Sequence, residues 1–143
     1  MAGTGQPWVV GYFCLDNLSS VAFLMHELFA ENQPFRANGR LWIEGPADRF
    51  LGIGRLELLE RIQATGSISR AAKEMGMSYK KAWDLVSSMN TQARQPLVGT
   101  QAGGAHGGGA ALTEAGAAAV AEFQAMQARF AQFLADETAR LYQ

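Results

Sequence analysis

The sequence is poor in the residues that hold metals and disulfides. It has one cysteine, Cys14, and two histidines, His26 and His106. A single cysteine cannot form a disulfide within the chain, and three such residues are too few for a structural Cys/His zinc site, which takes four ligands. These shortages argue against a disulfide framework and a metal site, and they fit a reducing, cytoplasmic location.

Long apolar runs are also missing. The longest, around "WVVGYFCL" and "VAFLM", fall short of the roughly 20 residues that span a bilayer, and no basic segment precedes them. We therefore expect neither export nor a membrane partner. The sequence shows no pairing of a nucleophile with a base and no cluster of metal ligands, so we expect no enzyme and no cofactor.

The chain has little net charge, but the charge is unevenly distributed. Twelve basic and 13 acidic side chains give −1 over 143 residues. Residues 55–94 hold seven basic against four acidic side chains, whereas both flanks are acidic. An excess of three positive charges is what a phosphate-binding surface would need, although so small an excess can also arise by chance.

Two short strands and a helix are predicted before residue 66. "RLWIE" (40–44) and "RFLGI" (49–53) are rich in β-branched and aromatic residues, and "GPAD" between them is a turn sequence, so we expect a hairpin. "GRLELLERIQAT" then spaces its apolar residues for a first helix that ends near Gly66. These residues are Leu56, Leu58, Leu59 and Ile62.

The stretch "GSISRAAKEMGMSYKKAWDLVSSMN" (66–90) predicts two further helices joined by a tight turn. Ser67 is a candidate N-cap, Gly76 tolerates the positive φ of a helix end, and Ser78 can cap the next helix. The apolar face of the second helix is mostly alanine, so another helix can approach closely. That face comprises Ile68, Ala71, Ala72 and Met75. This is the helix-turn-helix layout, in which the later helix enters the major groove of DNA.

The third predicted helix has two distinct faces. Its packing face comprises Ala82, Leu85, Val86, Met89 and Ala93, and the opposite face carries Lys80, Asp84, Ser87, Thr91 and Arg94. Tyr79 and Trp83 flank the packing face. We expect Trp83 to pack in the core, whereas Tyr79 could equally contact DNA. An ordinary helical hairpin with a solvated polar face is the alternative interpretation.

A glycine-rich segment follows this helix. "PLVGTQAGGAHGGGAALT" (96–113) contains two short β-prone runs around a glycine-rich tip, and it lacks the Gly-Lys-Ser/Thr of a phosphate-binding loop. A hairpin directly after a recognition helix is the wing of a winged helix. We expect His106 at its tip to be solvated, with a DNA backbone contact as the alternative.

A long helix is predicted from about Thr113. Apolar residues recur every three or four positions over roughly 28 residues, or about 42 Å of helix. Because the small winged-helix body cannot cover so long a stripe, we interpret it as a dimerisation element, and a core helix of one chain is the alternative. The predicted dimerisation residues are Val120, Phe123, Phe130, Leu134 and Leu141.

Residues 38–142 closely resemble the N-terminal DNA-binding domain of the ModE family of molybdate-responsive bacterial repressors. The resemblance rests on "GSISRAAKEMGMSYKKAW", the glycine-rich wing and "LTEAG". It implies a winged helix-turn-helix, a homodimer held by first-and-last-helix packing, and a palindromic promoter site. ModE proteins usually continue into small β-barrel domains that bind molybdate, and this sequence ends where they would begin, so we expect no molybdate sensor domain.

The wings of such proteins often carry a Lys or Arg that binds DNA phosphates, but this wing has neither. We therefore expect the wing to add little affinity for DNA.

Residues 1–37 lie outside the resemblance. "LSSVAFLMHELFAEN" has helical spacing, and Met25 is an alternative start of the chain. We therefore predict an N-terminal extension (1–37), a winged helix-turn-helix domain (38–113) and a C-terminal dimerisation helix (114–143). The predicted fold class is mainly α with small β-hairpins.

The predicted function is a cytoplasmic, homodimeric, sequence-specific regulator, a repressor, that binds double-stranded DNA at a palindromic operator. A winged-helix module that binds proteins rather than DNA is the alternative. The recognition-helix candidates are Ser78, Tyr79, Lys80, Lys81, Asp84 and Ser87, and the phosphate-positioning candidates are Arg70, Lys73 and Arg94.

Overall fold

The fold is a winged helix-turn-helix with two small antiparallel hairpins and a long C-terminal helix, as predicted. The computed structural model describes residues 27–100 and 109–142. The elements are β1 (Trp42–Glu44), β2 (Arg49–Gly52), α1 (Ile53–Thr65), α2 (Ile68–Glu74), α3 (Tyr79–Gln92), β3 (Val98–Thr100), β4 (Ala110–Leu112) and α4 (Glu114–Arg140).

Some predictions lie outside the described residues. They concern most of the N-terminal helix, Cys14 and the wing tip with His106. The contacts of the chain divide it into one unit of residues 38–133 and a second of residues 1–37 with 134–143. The domain boundaries drawn from the sequence stay predictions.

The first hairpin is built as its sequence indicates. β1 and β2 pair antiparallel, with Trp42 opposite Gly52, and the Gly45 backbone N–H closes the turn on the Asp48 carbonyl at 2.9 Å. The guanidinium of Arg49 lies 4.7 Å from the centre of the Trp42 ring, a cation–π contact. The indole N–H of Trp42 donates to Glu44 at 2.6 Å. Both the ring face and the polar atom of this exposed tryptophan are therefore occupied.

A buried arginine ties this hairpin to α1. The Arg55 side chain, on α1, donates to the carbonyls of Arg49 and Phe50 and forms an ion pair with Asp48. Asp48 also accepts the hydroxyl of Ser88, on α3, at 3.3 Å. The Arg49 backbone N–H and the Arg55 side chain, both donating to this carboxylate, hold the pKa of Asp48 below its ordinary value. One carboxylate thus links the hairpin turn to two helices.

The core centres on α1, whose apolar stripe is buried as predicted. The helix ends at Gly66, which has a φ of 66° and donates its N–H to the Ile62 carbonyl. Gly66 in turn accepts the Ala110 N–H at 3.0 Å, which fixes β4 beside the helix end. The core of residues 38–133 comprises Leu51, Leu56, Leu58, Leu59, Ile62, Ile68, Ala71, Ala72, Ala82, Val86, Met89, Leu97, Val98, Ala110, Val120 and Phe123.

The second unit is held by aromatic and hydroxyl groups among its described residues, 27–37 and 134–142. Phe29 stacks on Phe35 with ring centroids 4.2 Å apart. The Tyr142 hydroxyl donates to the Phe35 carbonyl at 2.8 Å, and Thr138 accepts the Ala37 N–H at 3.0 Å. The segment before the first strand is thereby bound to the last turns of α4.

Candidate nucleic-acid interface

Side-chain caps and a glycine set the junction between α2 and α3. Ser67 accepts the Arg70 N–H at 3.3 Å at the start of α2, and Ser78 accepts the Lys81 N–H at 3.1 Å at the start of α3. Between them Gly76 has a φ of 65°, in the left-handed region that glycine adopts without strain. All three predicted roles are confirmed, so the helix pair is fixed largely by local chemistry.

Small residues let the two helices pack closely. Ala71 and Ala72 of α2 are fully or almost fully buried, as is Ala82 of α3. Val86 and Met89 continue the buried side of α3, which leaves its opposite side to solvent. The N-terminal turns of α3 are therefore presented outward, as in a recognition helix.

The outward row of α3 is partly neutralised by its own residues. The Lys80 ammonium lies 2.7 Å from the Asp84 carboxylate, one helical turn away. Both side chains are exposed, so the pair contributes little to stability. Ser87, farther along this row, is half-buried. The row consequently presents a donor and an acceptor side by side rather than an excess positive charge.

Four predicted cations remain exposed: Arg70, Lys73, Lys81 and Arg94. Within residues 27–100 and 109–142, none of them forms an ion pair, whereas Arg61 is bound to Glu57 and Glu74. The sequence placed Arg94 on the face of α3, and this is wrong, because the helix ends at Gln92 with Ala93 as its C-cap. Arg94 lies instead at the start of the connection to the wing.

Tyr79 and Trp83 form an exposed aromatic pair on α3. Their rings stack with centroids 6.2 Å apart and an interplanar angle of 29°. Tyr79 is 54% exposed and Trp83 is 41% exposed. The expectation that Trp83 packs in the core is wrong, because α3 turns only Ala82, Val86 and Met89 fully inward.

Asn90 anchors the wing to α3, a role that the sequence analysis missed. Its side-chain oxygen accepts the N–H groups of Leu97 and Val98 at 2.8 and 3.1 Å. Its amide nitrogen donates to the Val98 carbonyl at 2.9 Å. The only signal was a polar side chain on the flank of α3 just before a Pro-containing loop.

We expect Asn90→Ala to lower the free energy of unfolding by about 1–3 kcal/mol, because it leaves two partly buried backbone N–H groups without their acceptor. Urea denaturation followed by circular dichroism measures the change. Thr91→Ala, one position along on the exposed side of the same turn, is the matched control and should change the stability by less than about 0.5 kcal/mol. Equal effects of the two substitutions would contradict the anchoring role.

The "LTEAG" segment joins the wing to α4. The Thr113 hydroxyl donates to the Pro96 carbonyl at 2.6 Å and accepts the Gly116 N–H at 3.0 Å. Gly116 packs directly on the backbone of Leu97, where a Cβ atom would lie 2.9 Å from the carbonyl carbon and closer still to its oxygen. These contacts position the start of the long helix against the two residues that precede β3.

The predicted dimerisation residues divide into two groups. Val120 and Phe123 are 8% and 1% exposed in the core of their own chain, so they have almost no surface to offer a partner, and their role in dimerisation stays a prediction. Phe130 is half-buried and stacks on Phe133, which is 54% exposed, at 6.4 Å. Leu134 and Leu141 are also half-buried.

In the described ranges, no three His, Cys, Asp or Glu side chains are grouped as metal ligands. No helix among the same residues combines the length and hydropathy that crossing a membrane requires.

Comparison with known proteins places the helix-turn-helix among bacterial regulators. Residues 53–117 match the model of the bacterial regulatory helix-turn-helix proteins of the lysR family. The chain is 48% identical over 84 residues to the molybdenum-pterin-binding protein MopB of Rhodobacter capsulatus, covering 59% of this chain and 31% of that protein.

Two ModE proteins are similar to the same degree. The chain is 47% identical over 76 residues to the molybdenum transport protein ModE of Azotobacter vinelandii, covering 53% of this chain and 28% of the relative. It is 48% identical over 62 residues to the DNA-binding transcriptional dual regulator ModE of Escherichia coli, covering 43% and 24%. The chain thus spans a quarter to a third of the length of these relatives.

Proposed function

We propose that this chain, which carries a ModE-like helix-turn-helix regulator domain, is a sequence-specific DNA-binding transcriptional regulator that acts as a homodimer. One observation carries the proposal: α2 and α3, joined at Gly76, present the first turns of α3 outward, and Asn90 near the other end of α3 bonds to the start of the β3–β4 hairpin. This arrangement suits insertion of α3 into the major groove. The proposal carries with it the cytoplasmic location that the sequence predicts.

The exposed cations are suited to positioning the protein on the phosphate backbone. Arg70 and Lys73 lie on α2, Lys81 lies in the first turn of α3, and Arg94 follows that helix. A guanidinium or ammonium without an internal partner can release condensed counterions when it meets a phosphate. The described strands of the wing, residues 98–100 and 110–112, contain no Lys or Arg, so we assign most of the phosphate contacts to the helix pair.

The other polar candidates on α3 and at its N-cap are suited to reading bases. Lys80 can donate to guanine, and Asp84 can accept from the amino group of cytosine, so the pair matches the two partners of one G·C pair or of neighbouring pairs. Ser78, Tyr79 and Ser87 add hydroxyl groups along the same helix. We assign sequence recognition to this set.

We propose that the homodimer forms through the exposed part of the apolar face of α4. A dimer presents two recognition helices to two half-sites about one helical turn apart, which predicts a palindromic operator. Repression is the simplest consequence, because a dimer that occupies a promoter site needs no further contact to exclude polymerase. The proposed contacts are Phe130 and Leu134 on α4 and Leu141 directly after its end, because each of them keeps exposed surface.

Selection of bound sequences from a random duplex pool tests the proposal. We expect a palindromic consensus whose affinity falls steeply with salt, because phosphate contacts release counterions. Recovery of no consensus, together with salt-independent or absent binding, would favour the rival protein-binding winged helix.

Substitutions on α3 separate phosphate contacts from base contacts. Lys81→Ala should weaken binding to every sequence and reduce the slope of log affinity against log salt by about 1.8, that is, about 0.9 for each of the two phosphate contacts that the homodimer loses. The double variant Lys80→Ala/Asp84→Ala removes a pair with no net charge. We expect it to leave the salt slope unchanged and to lose about 1–3 kcal/mol of discrimination at one base pair.

Arg129→Gln on α4 has the same charge change as Lys81→Ala and serves as its control. Fluorescence anisotropy at four or more salt concentrations measures all three variants. An unchanged slope for Lys81→Ala, or a slope reduced equally by Arg129→Gln, would remove Lys81 from the phosphate contacts.

A further inference from the structure

The aromatic pair on α3 lies on the same side of the helix as Asn90, the residue that bonds to the start of the wing. Tyr79 and Trp83 are four residues apart, so they occupy neighbouring turns on one side. Trp83 and Asn90 are seven residues apart, which is close to two full turns, and Asn90 bonds to Val98 at the start of β3. The pair therefore forms a second exposed row, next to the Lys80–Asp84 row and in line with Asn90.

The polar atoms of this pair are unused by the chain. Across the residues that the structure describes, neither the indole N–H of Trp83 nor the hydroxyl of Tyr79 has a hydrogen-bond partner. Trp42 is exposed to a similar degree, 44%, yet Arg49 covers its ring and Glu44 accepts its N–H. The chain thus supplies a hydrogen-bond acceptor and a cation–π partner to the exposed tryptophan of the first hairpin, and it supplies neither to Trp83 on the proposed recognition helix.

We propose that Trp83, braced by Tyr79, is a specificity-determining residue that contacts the 5-methyl group of a thymine in the major groove. The inference rests on the proposed function and names a base that this helix reads. In the major groove, thymine is the base that presents a methyl group, and an apolar side chain discriminates it by direct contact. The Lys80–Asp84 row supplies hydrogen bonds, and the aromatic row supplies the apolar contact that those groups cannot make.

The stacked arrangement favours a methyl contact over base stacking. The ring planes of Tyr79 and Trp83 are stacked at an interplanar angle of 29°, so each ring partly covers one face of the other. The indole therefore presents mainly its edge and its outer face to solvent. Bases in an intact duplex are already stacked and expose only their edges to the groove. An exposed aromatic edge and a methyl group at a groove surface are complementary in shape and polarity.

Replacement of thymine by deoxyuridine removes the methyl group and nothing else. We expect deoxyuridine at one particular thymine position of each half-site to lower the affinity of the wild-type protein about fourfold for each methyl group removed. Deoxyuridine at the other thymine positions should leave the affinity unchanged. The measurement uses the full chain and the selected operator, so it depends on no variant that could fail to fold.

Variants then assign the contact to its side chain. Trp83→Ala should bind the thymine site more weakly and no longer distinguish it from the deoxyuridine site at that position. Tyr79→Phe keeps the ring and should retain the distinction. Trp42→Ala, which removes a similarly exposed tryptophan from the first hairpin, should also retain it.

The outcomes separate the two proposals. Specific binding that is indifferent to deoxyuridine at every thymine position, a consensus without thymine, or discrimination that survives Trp83→Ala would overturn this inference and leave the proposed function standing. Failure of the wild-type chain to bind any selected duplex would overturn both, and would point to a protein surface as the occupant of the aromatic row.

Discussion

Gly116→Ala should be among the most destabilising single substitutions in this chain, lowering the free energy of unfolding by about 3 kcal/mol, the upper part of the range for overpacking. The added methyl group would overlap the Leu97 carbonyl, which is backbone and cannot change rotamer. Relief would require α4 to move away from Leu97, the residue directly before β3. Thermal and urea denaturation of the purified variant measure the effect.

Gly54→Ala is the matched control, because both glycines lie in the first turn of a helix. A Cβ atom at residue 54 would have no heavy atom within 4 Å. We expect this substitution to stabilise the chain by about 0.4–1 kcal/mol, since alanine restricts the unfolded chain more than glycine does. If the two variants had the same stability, the close packing of α4 on Leu97 would be wrong.

The parts of the fold that follow from local chemistry could be predicted from the sequence. Ser67 and Ser78 cap the helices whose first turns follow them, and Gly66 and Gly76 take the left-handed conformation at helix ends. Each of these roles depends on residues within about four positions of one another. For this reason the ends of α2 and α3, and with them the residues of the candidate DNA-binding face, could be predicted from the sequence.

The parts that depend on distant residues could not be predicted. Asp48 contacts Arg55, seven positions away, and Ser88, 40 positions away, only because the hairpin folds onto two helices. Asn90 and Gly116 act through the backbone of residues 97 and 98, and no periodicity marks such contacts. The sequence pattern identified the elements but not the polar atoms and close approaches that hold the wing in place.

Periodicity alone does not assign the residues of the apolar stripe of α4 to a core or to a partner. Val120, Phe123 and Phe130 share one helical face, and the same spacing is expected whether the face covers a core or a partner. In the structure Phe123 is fully packed within its own chain, whereas Phe130 keeps exposed surface beside Phe133. Whether a residue of this face packs in the core or stays available to a partner depends on which part of α4 the other helices and strands cover. The sequence pattern does not contain that information.

Dimerisation and DNA binding should therefore respond differently to two truncations on this face. Phe123→Ala should destabilise the fold by about 3–5 kcal/mol, the usual cost of removing a buried Phe. Its melting temperature should fall at all protein concentrations, because the lost contacts lie within one chain. Phe130→Ala should cost the monomer less and shift the protein towards monomer in sedimentation.

Loss of the dimer should weaken operator binding far more than the distance of Phe130 from the recognition helix suggests. Two linked half-site contacts can exceed either alone by 10²–10⁴ in affinity, so we expect Phe130→Ala to lose on the order of 100-fold on a palindromic site. Binding to a single half-site, where the partner contributes nothing, should be nearly unchanged. Sedimentation velocity and anisotropy with full-site and half-site duplexes measure the two effects. A wild-type chain that stays monomeric at tens of micromolar, or a monomeric variant with full operator affinity, would make α4 a core element of one chain.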